Sequence, residues 1–425
     1  MKRVQVLAVC FAAFTVHLPA QVASVDAPKA LPAQFILVNH APGQPWNAQK
    51  PDSFQRAQFE EIRRALPNPG ESRVRVGVSF IFDYLATTND AVLTHSLRRF
   101  LALAEETDTP VCVTLSGEYW WQGRPDLWNW WDPAGPGYNP ANRENVEWSS
   151  WSSEDALKIA WLDWGRQIRI PPPPNLLSPR YREACREKLR LLAPIVANWW
   201  KALPVGKQDL FVGLKVSWES AIGVNGFYYT NGNALLGQPE AGDPKTGIQT
   251  GIVPSRGVAQ IGYAAVKTGG IRAGGRITEA DLAEVVRRHM EDNAREAARL
   301  GLPRDRIFTH CGGWKEGELL FDAAVNRFSS PGWSFYGRAI KPASNAGVQR
   351  ALKLSDAPCW AASEWLHQGE DTVEAWRDSI QSTLADPRCR FLCIYNWANI
   401  RNSTNARIAI RDFVGASRQS TPPKP

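Results

Sequence analysis

An eightfold alternation of short apolar runs and helical segments predicts an α/β fold for this chain, a (β/α)8 TIM barrel. Three observations carry the prediction. Eight β-branched or aromatic runs occur in order along 425 residues, and most are followed by a helical pattern. The two largest insertions, 119–178 and 220–277, follow runs three and four as strand-to-helix loops, the loops that build the working face of such a barrel. A doubly wound open sheet would want a Gly-rich phosphate turn after an early strand, and none is present.

The first run is FILVNH at 35–40, with a helix expected around 53–66. The second, RVRVGVSFIF at 73–82, precedes a helix around 90–106. The third, PVCVTLSGE at 110–118, leads into a Trp-rich insertion and a helix around 179–202. The fourth, LFVGLKVSWE at 210–219, leads into a Gly-rich insertion and a helix from about 278 to 300, with Thr278 as N-cap and Gly301 as stop. RIFTHC at 306–311 and WSFYG at 333–337 are the fifth and sixth, the latter followed by a helix around 345–354. PCWAASEW at 358–365 and RFLCIYNW at 390–397 are the seventh and eighth, with helices around 371–385 and 404–414.

Two glutamates close runs on opposite sides of the expected barrel. Glu219 ends the fourth and Glu364 the seventh. Side chains alternate along a strand. Val212, Leu214, Val216 and Trp218 form an apolar set suited to the helix-facing side, which turns Gly213, Lys215, Ser217 and Glu219 toward the barrel axis. A buried Lys215 would then need a carboxylate partner. The parity of strand seven is undecided, because both faces of 359–363 are small or apolar. Glycosidic cleavage needs two carboxyl groups in different states, one protonated for the departing oxygen and one ionised. Two inward glutamates across a barrel mouth meet that need.

In these features the chain resembles the clan A glycoside hydrolases, over most of 33–415. The resemblance implies Glu219 as acid/base and Glu364 as nucleophile in a retaining mechanism on β-glycosidic bonds. It also implies Trp397, closing strand eight, as an aromatic floor for the reacting sugar, and Tyr336, closing strand six, as support for the nucleophile. The chain departs from the clan in carrying Trp218 where many members have Asn. No family within the clan is assigned.

Other strand-end residues are read as sugar contacts or as local caps: Asn39, His40, Asp83, Glu118 and His310. The 19 tryptophans exceed ordinary use, and a flat apolar ring suits the C–H face of a sugar. Trp120, Trp121, Trp218 and Trp365 are the rings expected nearest the site. Those of the third insertion line a cleft or form the insertion's own core.

Residues 1–24 read as a secretory signal, from Lys2 and Arg3 through an apolar stretch to Val22-Ala23-Ser24. Residues 33–415 form the expected barrel domain, and 416–425 an expected disordered tail. Removal of the leader takes two basic residues and no acid, so the net charge falls from +7 to about +5. There are no long basic runs, so no nucleic-acid partner is expected. The expected setting is secreted or periplasmic, with no membrane insertion after processing and a carbohydrate partner. No cofactor and no metal are expected, and oligomeric state is not assigned. Of the six cysteines after the leader, Cys359 and Cys389 precede neighbouring strands, where a bridge is possible in an oxidising compartment. Two rival functions remain: a metal-dependent barrel hydrolase or isomerase using Asp83, Glu118, Glu219 and His310, and a catalytically inactive carbohydrate-binding barrel.

Overall fold

The computed structural model describes residues 33–417 except 41–44, 71, 164–166, 224, 244–256, 313–318 and 337–340. The expected leader lies outside the described residues, as does the tail beyond residue 417, and the last helix runs to Ala416. The chain from Pro32 onward forms one compact unit.

Eight parallel strands make one sheet: β1 Gln34–His40, β2 Val74–Asp83, β3 Val111–Ser116, β4 Phe211–Lys215, β5 Ile307–Phe308, β6 Gly332–Tyr336, β7 Trp360–Leu366 and β8 Cys389–Tyr395. Their spatial order is β5-β4-β3-β2-β1-β8-β7-β6. Parallel bridges from Phe308 to Ser330 and from Cys311 to Trp333 join the two ends and round the sheet into a barrel. Helices over Arg56–Ala65, Asp90–Glu106, Pro179–Ala202, Glu279–Arg299, Ala346–Leu354, Val373–Leu384 and Thr404–Ala416 wrap it. Between β5 and β6 the described chain supplies only a 3-10 segment, Leu319–Ala324. The helix bounds follow from local chemistry. Asn89, Ser178 and Thr278 each accept a backbone N–H of the first turn, and Thr278 forms a capping box with Asp281. Gly301, at φ +96°, takes the left-handed position that ends its helix.

Two apolar layers result. Phe35, Leu37, Cys112, Val212, Phe308, Ala361, Phe391 and Cys393 fill the barrel interior. Ile36, Val38, Val76, Val111 and Leu214 face outward against helix residues such as Phe59, Leu97, Phe100 and Leu189. Burying each such side chain contributes about 1.5–3 kcal/mol before the entropy of ordering it.

Val212 corrects the expected parity. It points into the barrel because β4 slips against β3: Val111 pairs with Phe211, but Cys112 pairs with Gly213. Val212 is the extra residue of that bulge, and the phase beyond it keeps Lys215 inward. Trp218 is not helix-facing either. The strand ends at Lys215, and Trp218 packs over the mouth with Ile81, Tyr119, Ala160, Leu162 and Ile170.

The insertions are joined by an antiparallel sheet of Ala160–Asp163, Gln167–Ile170 and Gly226–Phe227. Most of their tryptophans form the insertion's own core. Trp121 is fully buried against Tyr181 and donates its indole N–H to the Pro172 carbonyl, so it is not a cleft residue. Trp128, Trp130 and Trp151 likewise donate to the carbonyls of Trp121, Leu157 and Gly275.

Glu147 is buried in this region, accepting from the Ala264 N–H at 3.2 Å. Burial pushes its carboxyl up to about 8. A carboxyl raised in the fold contributes stability that is present below about 4.5 and lost as pH rises through about 8. Glu147→Gln is therefore expected to leave the unfolding midpoint little changed at pH 4 and to raise it relative to wild type at pH 9. A wild-type-to-variant gap that does not widen with pH would refute this.

The six described cysteines are free thiols, so the possible Cys359–Cys389 bridge is not formed. The two point to opposite faces of the sheet. Cys389 packs in the outer layer, whereas Cys359 lies against the interior cluster with its sulfur 3.2 Å from the Ser330 hydroxyl.

Candidate active site

Glu219 lies four residues past the end of β4, in a left-handed conformation at φ +49°. A non-glycine residue adopts that conformation at a cost of roughly 1 kcal/mol or more, so its surroundings must hold it there. They do so on both sides. The Tyr119 hydroxyl donates to the Glu219 carbonyl at 2.7 Å. The next residue, Ser220, donates its N–H to the His310 carbonyl at 2.9 Å and its hydroxyl to Glu118 at 2.6 Å.

Glu364 reaches the mouth by a second bulge. Ala361 faces inward and Ala362 outward, and the pairing with both neighbouring strands then slips across Ser363. Simple alternation from Ala361 would turn Glu364 outward. The extra residue turns it in and sends Trp365 to the outer layer instead.

The two carboxyl groups meet in a buried site, at 4% and 3% exposure for Glu219 and Glu364. One oxygen of each lies within 4.8 Å of the other and of a His310 ring nitrogen. Their donors differ. Glu219 Oε1 accepts from the Ser334 hydroxyl at 2.7 Å and lies 3.4 Å from the Tyr336 hydroxyl, while Oε2 accepts from Asn225. Glu364 Oε1 accepts from Tyr336, and Oε2 from the Trp218 indole N–H at 3.1 Å. His310 Nε2 lies 3.0 Å from the Ser334 hydroxyl, which links the imidazole to Glu219.

Burial raises both carboxyls above the usual range. Glu219 is pushed up to about 8, by burial first and then by the charge of Glu364, against the pull of Ser334, Asn225 and Lys215. Tyr336, Lys215 and Trp218 oppose the rise at Glu364. The two titrate as a coupled pair in which the charge of Glu364 favours the protonated form of Glu219. Burial and the two carboxyls also hold the Tyr336 phenol well above its ordinary value, so it remains a neutral donor.

The structure brings Glu219, Glu364, Tyr336, Trp218 and His310 together. Asn39 faces the interior from β1, with neither amide atom partnered. Thr114 and Ser116 extend that arc on β3 with unpartnered, buried hydroxyls, while the buried Ser79 hydroxyl on β2 lies against the Cys112 and Cys393 thiols. Such unpartnered groups normally bond water or a ligand. Asp83 ends β2 with one edge exposed, and burial holds its carboxyl well above the usual range. Trp120 is half-buried beside the mouth cluster.

Four expected contacts stand elsewhere. His40 alternates to the outer side, where its ring packs 4.0 Å from that of Trp46. Glu118 lies behind the Glu219 turn, bonded to Ser220 and His289. Trp365 is fully buried and donates to Thr383 on the helix layer. Trp397 is 5% exposed within the outer core. The aromatic side chain of β8 that shares the field of both carboxyls is Tyr395, whose phenol is pushed up to about 12 by burial and by Glu364. Phe391 and Cys393 face inward, so alternation alone would have identified Tyr395. Ser334 was equally readable two residues before Tyr336, whereas Asn225, inside an insertion, carries no such signal.

The metal set of the rival reading is not assembled. Among the described residues, the group with ligand atoms in reach of one another is Glu219, His310 and Glu364, without Asp83 or Glu118.

No family model matches the chain. Among solved structures it is similar to an exo-β-1,4-mannosidase from an Opitutaceae bacterium, strain TAV5, at 11% identity and TM-score 0.43, covering 91% of this chain and 60% of that one. It is also similar to an endo-1,4-β-mannanase from Rhizomucor miehei, at 10% identity and TM-score 0.44, covering 92% and 96% of the two chains. A glycoside hydrolase family 5 enzyme from Prevotella bryantii B14 is similar at 9% identity and TM-score 0.39, with coverages of 90% and 95%.

Proposed function

We propose that this chain is a secreted glycoside hydrolase that cleaves β-glycosidic bonds of an oligo- or polysaccharide with retention of configuration. The observation that carries the reading is the buried Glu219–Glu364 pair, with carboxylate oxygens within 4.8 Å and unlike surroundings. Retaining enzymes hold their carboxyl groups about 5–5.5 Å apart, whereas inverting enzymes leave about 6.5–9.5 Å for a water between them. Secretion rests on the leader-like residues 1–24. No described helix is long and apolar enough to cross a membrane.

In the first step Glu364 attacks the anomeric carbon while Glu219 passes its proton to the departing oxygen. Tyr336 and Trp218 fix both oxygens of the nucleophile, and Tyr336 also approaches Glu219. In the second step Glu219, now ionised and held by Ser334 and Asn225, takes a proton from water as that water displaces Glu364 from the sugar. Asn39, Thr114 and Ser116 offer the opposite side of the site to sugar hydroxyls.

The pH dependence follows from these roles. Glu364 must be ionised, so kcat/KM falls on the acid side. Glu219 must keep its proton, so kcat/KM falls as pH rises through about 8. A bell with its basic limb near 8 is expected. A profile still rising at pH 9 would contradict the acid role of Glu219.

The deciding experiment is a screen of aryl β-glycosides and β-linked polysaccharides, with early product configuration read by proton NMR. Retention supports the reading, and an inverted first product recasts Glu364 as a base acting on water. The Glu219–His310–Glu364 cluster favours one second reading, a metal-assisted hydrolase. Under the glycosidase reading, turnover is unchanged by exhaustive chelation. Loss on chelation, restored by a divalent metal, would favour the second.

A further inference from the structure

Lys215 is a lysine that strand alternation turns into an apolar barrel, and the proposed chemistry leaves it without a role. Its side chain is 1% exposed. Its register partners are Thr114 on β3 and Phe308 on β5, and it lies four residues before Glu219. Its ammonium crosses the barrel to donate to the Ser363 carbonyl at 2.9 Å. Ser363 is the bulged residue immediately before Glu364. The expected carboxylate partner is absent: among the described residues Lys215 makes no ion pair within 4.0 Å, so its charge acts through space rather than in a contact pair.

We propose that Lys215 is a positioning residue whose buried ammonium is the countercharge that keeps Glu364 ionised while Glu219 keeps its proton. This rests on the glycosidase reading of the pair. The argument is one of charge balance in a dry cavity. Just past β5, His310 is held neutral by burial and by Lys215 itself. On β3 and β8, burial keeps the Cys112 and Cys393 thiols protonated. Tyr336 on β6, Tyr395 on β8 and Tyr119 beyond β3 are neutral phenols, and Asp83 on β2 is held toward its neutral acid. The charges left among these groups are Lys215 and whichever of the two glutamates is ionised.

With both glutamates ionised the cavity carries one net negative charge. With both protonated it carries one net positive charge. With one proton on the pair it is neutral, and a low-dielectric interior favours that state strongly over the other two. A retaining pair needs that same state. Without Lys215, a singly protonated pair leaves an uncompensated buried anion, and the nucleophile takes up a proton at higher pH. The bond to Ser363 has a second consequence. It ties the ammonium to the bulge that aims Glu364, so charge and orientation are delivered by one side chain.

The test compares Lys215→Met, which keeps the stem and deletes the charge, with Lys215→Arg, which keeps the charge. Removing a cation disfavours the carboxylate, so the acid limb of kcat/KM for Lys215→Met is expected to move up by about one pH unit or more. Labelling of Glu364 by an activated 2-deoxy-2-fluoro glycoside is expected to become correspondingly slower below that limb and to recover above it. Lys215→Arg is expected to hold the limb near its wild-type position. A purely structural role would lower the whole profile without moving its limb, and an unmoved limb in Lys215→Met overturns the proposal. Should that variant not fold, the wild-type enzyme still decides. Nitrogen NMR of labelled lysines must find Lys215 as an ammonium through the active pH range, and a neutral amine at the activity optimum overturns the inference. Absence of any glycosidase turnover in the wild type would instead sink the reading on which the inference rests.

Discussion

Glu364→Gly is expected to lower turnover by about 10⁴-fold or more, because in the proposed mechanism it removes the atom that forms the covalent intermediate rather than a group that assists it. The variant should remain folded. Its loss deletes one of two like carboxyl groups confined to a buried site, which relieves repulsion and desolvation. Against that, the Trp218 N–H loses its bond to Glu364, at a cost of roughly 1–3 kcal/mol unless water enters the space left behind, while the Tyr336 hydroxyl keeps Glu219 Oε1 at 3.4 Å as an acceptor. These terms oppose one another, so the unfolding midpoint should move far less than the rate. The vacated space also makes a chemical test available. Azide entering there can attack the anomeric carbon from the face Glu364 used, with Glu219 still present to assist departure, and the product is a glycosyl azide of inverted configuration. Recovery of activity with azide and an inverted product identifies the nucleophile. A folded variant that keeps wild-type turnover ends the assignment.

How far this site was readable depends on which residues are fixed locally and which by their neighbours. The helices at 90–106 and 179–202 fall where expected because Asn89 and Ser178 cap them from within their own sequence. The inward turn of Lys215 follows from a periodicity that any strand must obey. Val212 and Ser363 escape such reasoning because a bulge is a property of two strands, visible only once the register with the partner is known. Ser363 matters most, since without it Glu364 would face the helices and Trp365 the mouth. Strand seven offered no warning, because small and apolar residues on both faces leave the phase undetermined. Trp397 and Tyr395 differ in a separate respect. The ring two positions beyond the last inward strand residue packs into the outer layer, and the smaller phenol on the inner face is the one that shares the field of both carboxyls. Composition likewise flagged the tryptophans of the third insertion but not their direction. Their indole N–H groups are satisfied by backbone carbonyls of the insertion itself, an arrangement that depends on the tertiary fold.

Glu219→Ala is expected to separate substrates by their leaving groups. A sugar or alkyl alcohol cannot depart as its anion, so loss of the acid should cost about 10²–10⁴-fold. A dinitrophenyl glycoside needs no proton to depart, so its first step should be nearly unaffected, and an intermediate should accumulate because the water attacking it has lost its base. A burst of phenol followed by slow turnover is the expected trace. The pH profile gives an independent reading. Wild type is expected to lose activity as the Glu219 proton dissociates, at about 8. With that group removed, the basic limb should vanish for the activated substrate, while the acid limb, which reports Glu364, remains. The position of the wild-type limb depends on the partner's charge, since Glu364 is the second cause of the rise at Glu219, after burial. Glu364→Gln should therefore lower the Glu219 carboxyl pKa toward the ordinary range, as carbon NMR of labelled glutamate would detect. A basic limb near 8 that persists in Glu219→Ala, or equal losses on dinitrophenyl and alkyl glycosides, would mean that another group supplies the proton.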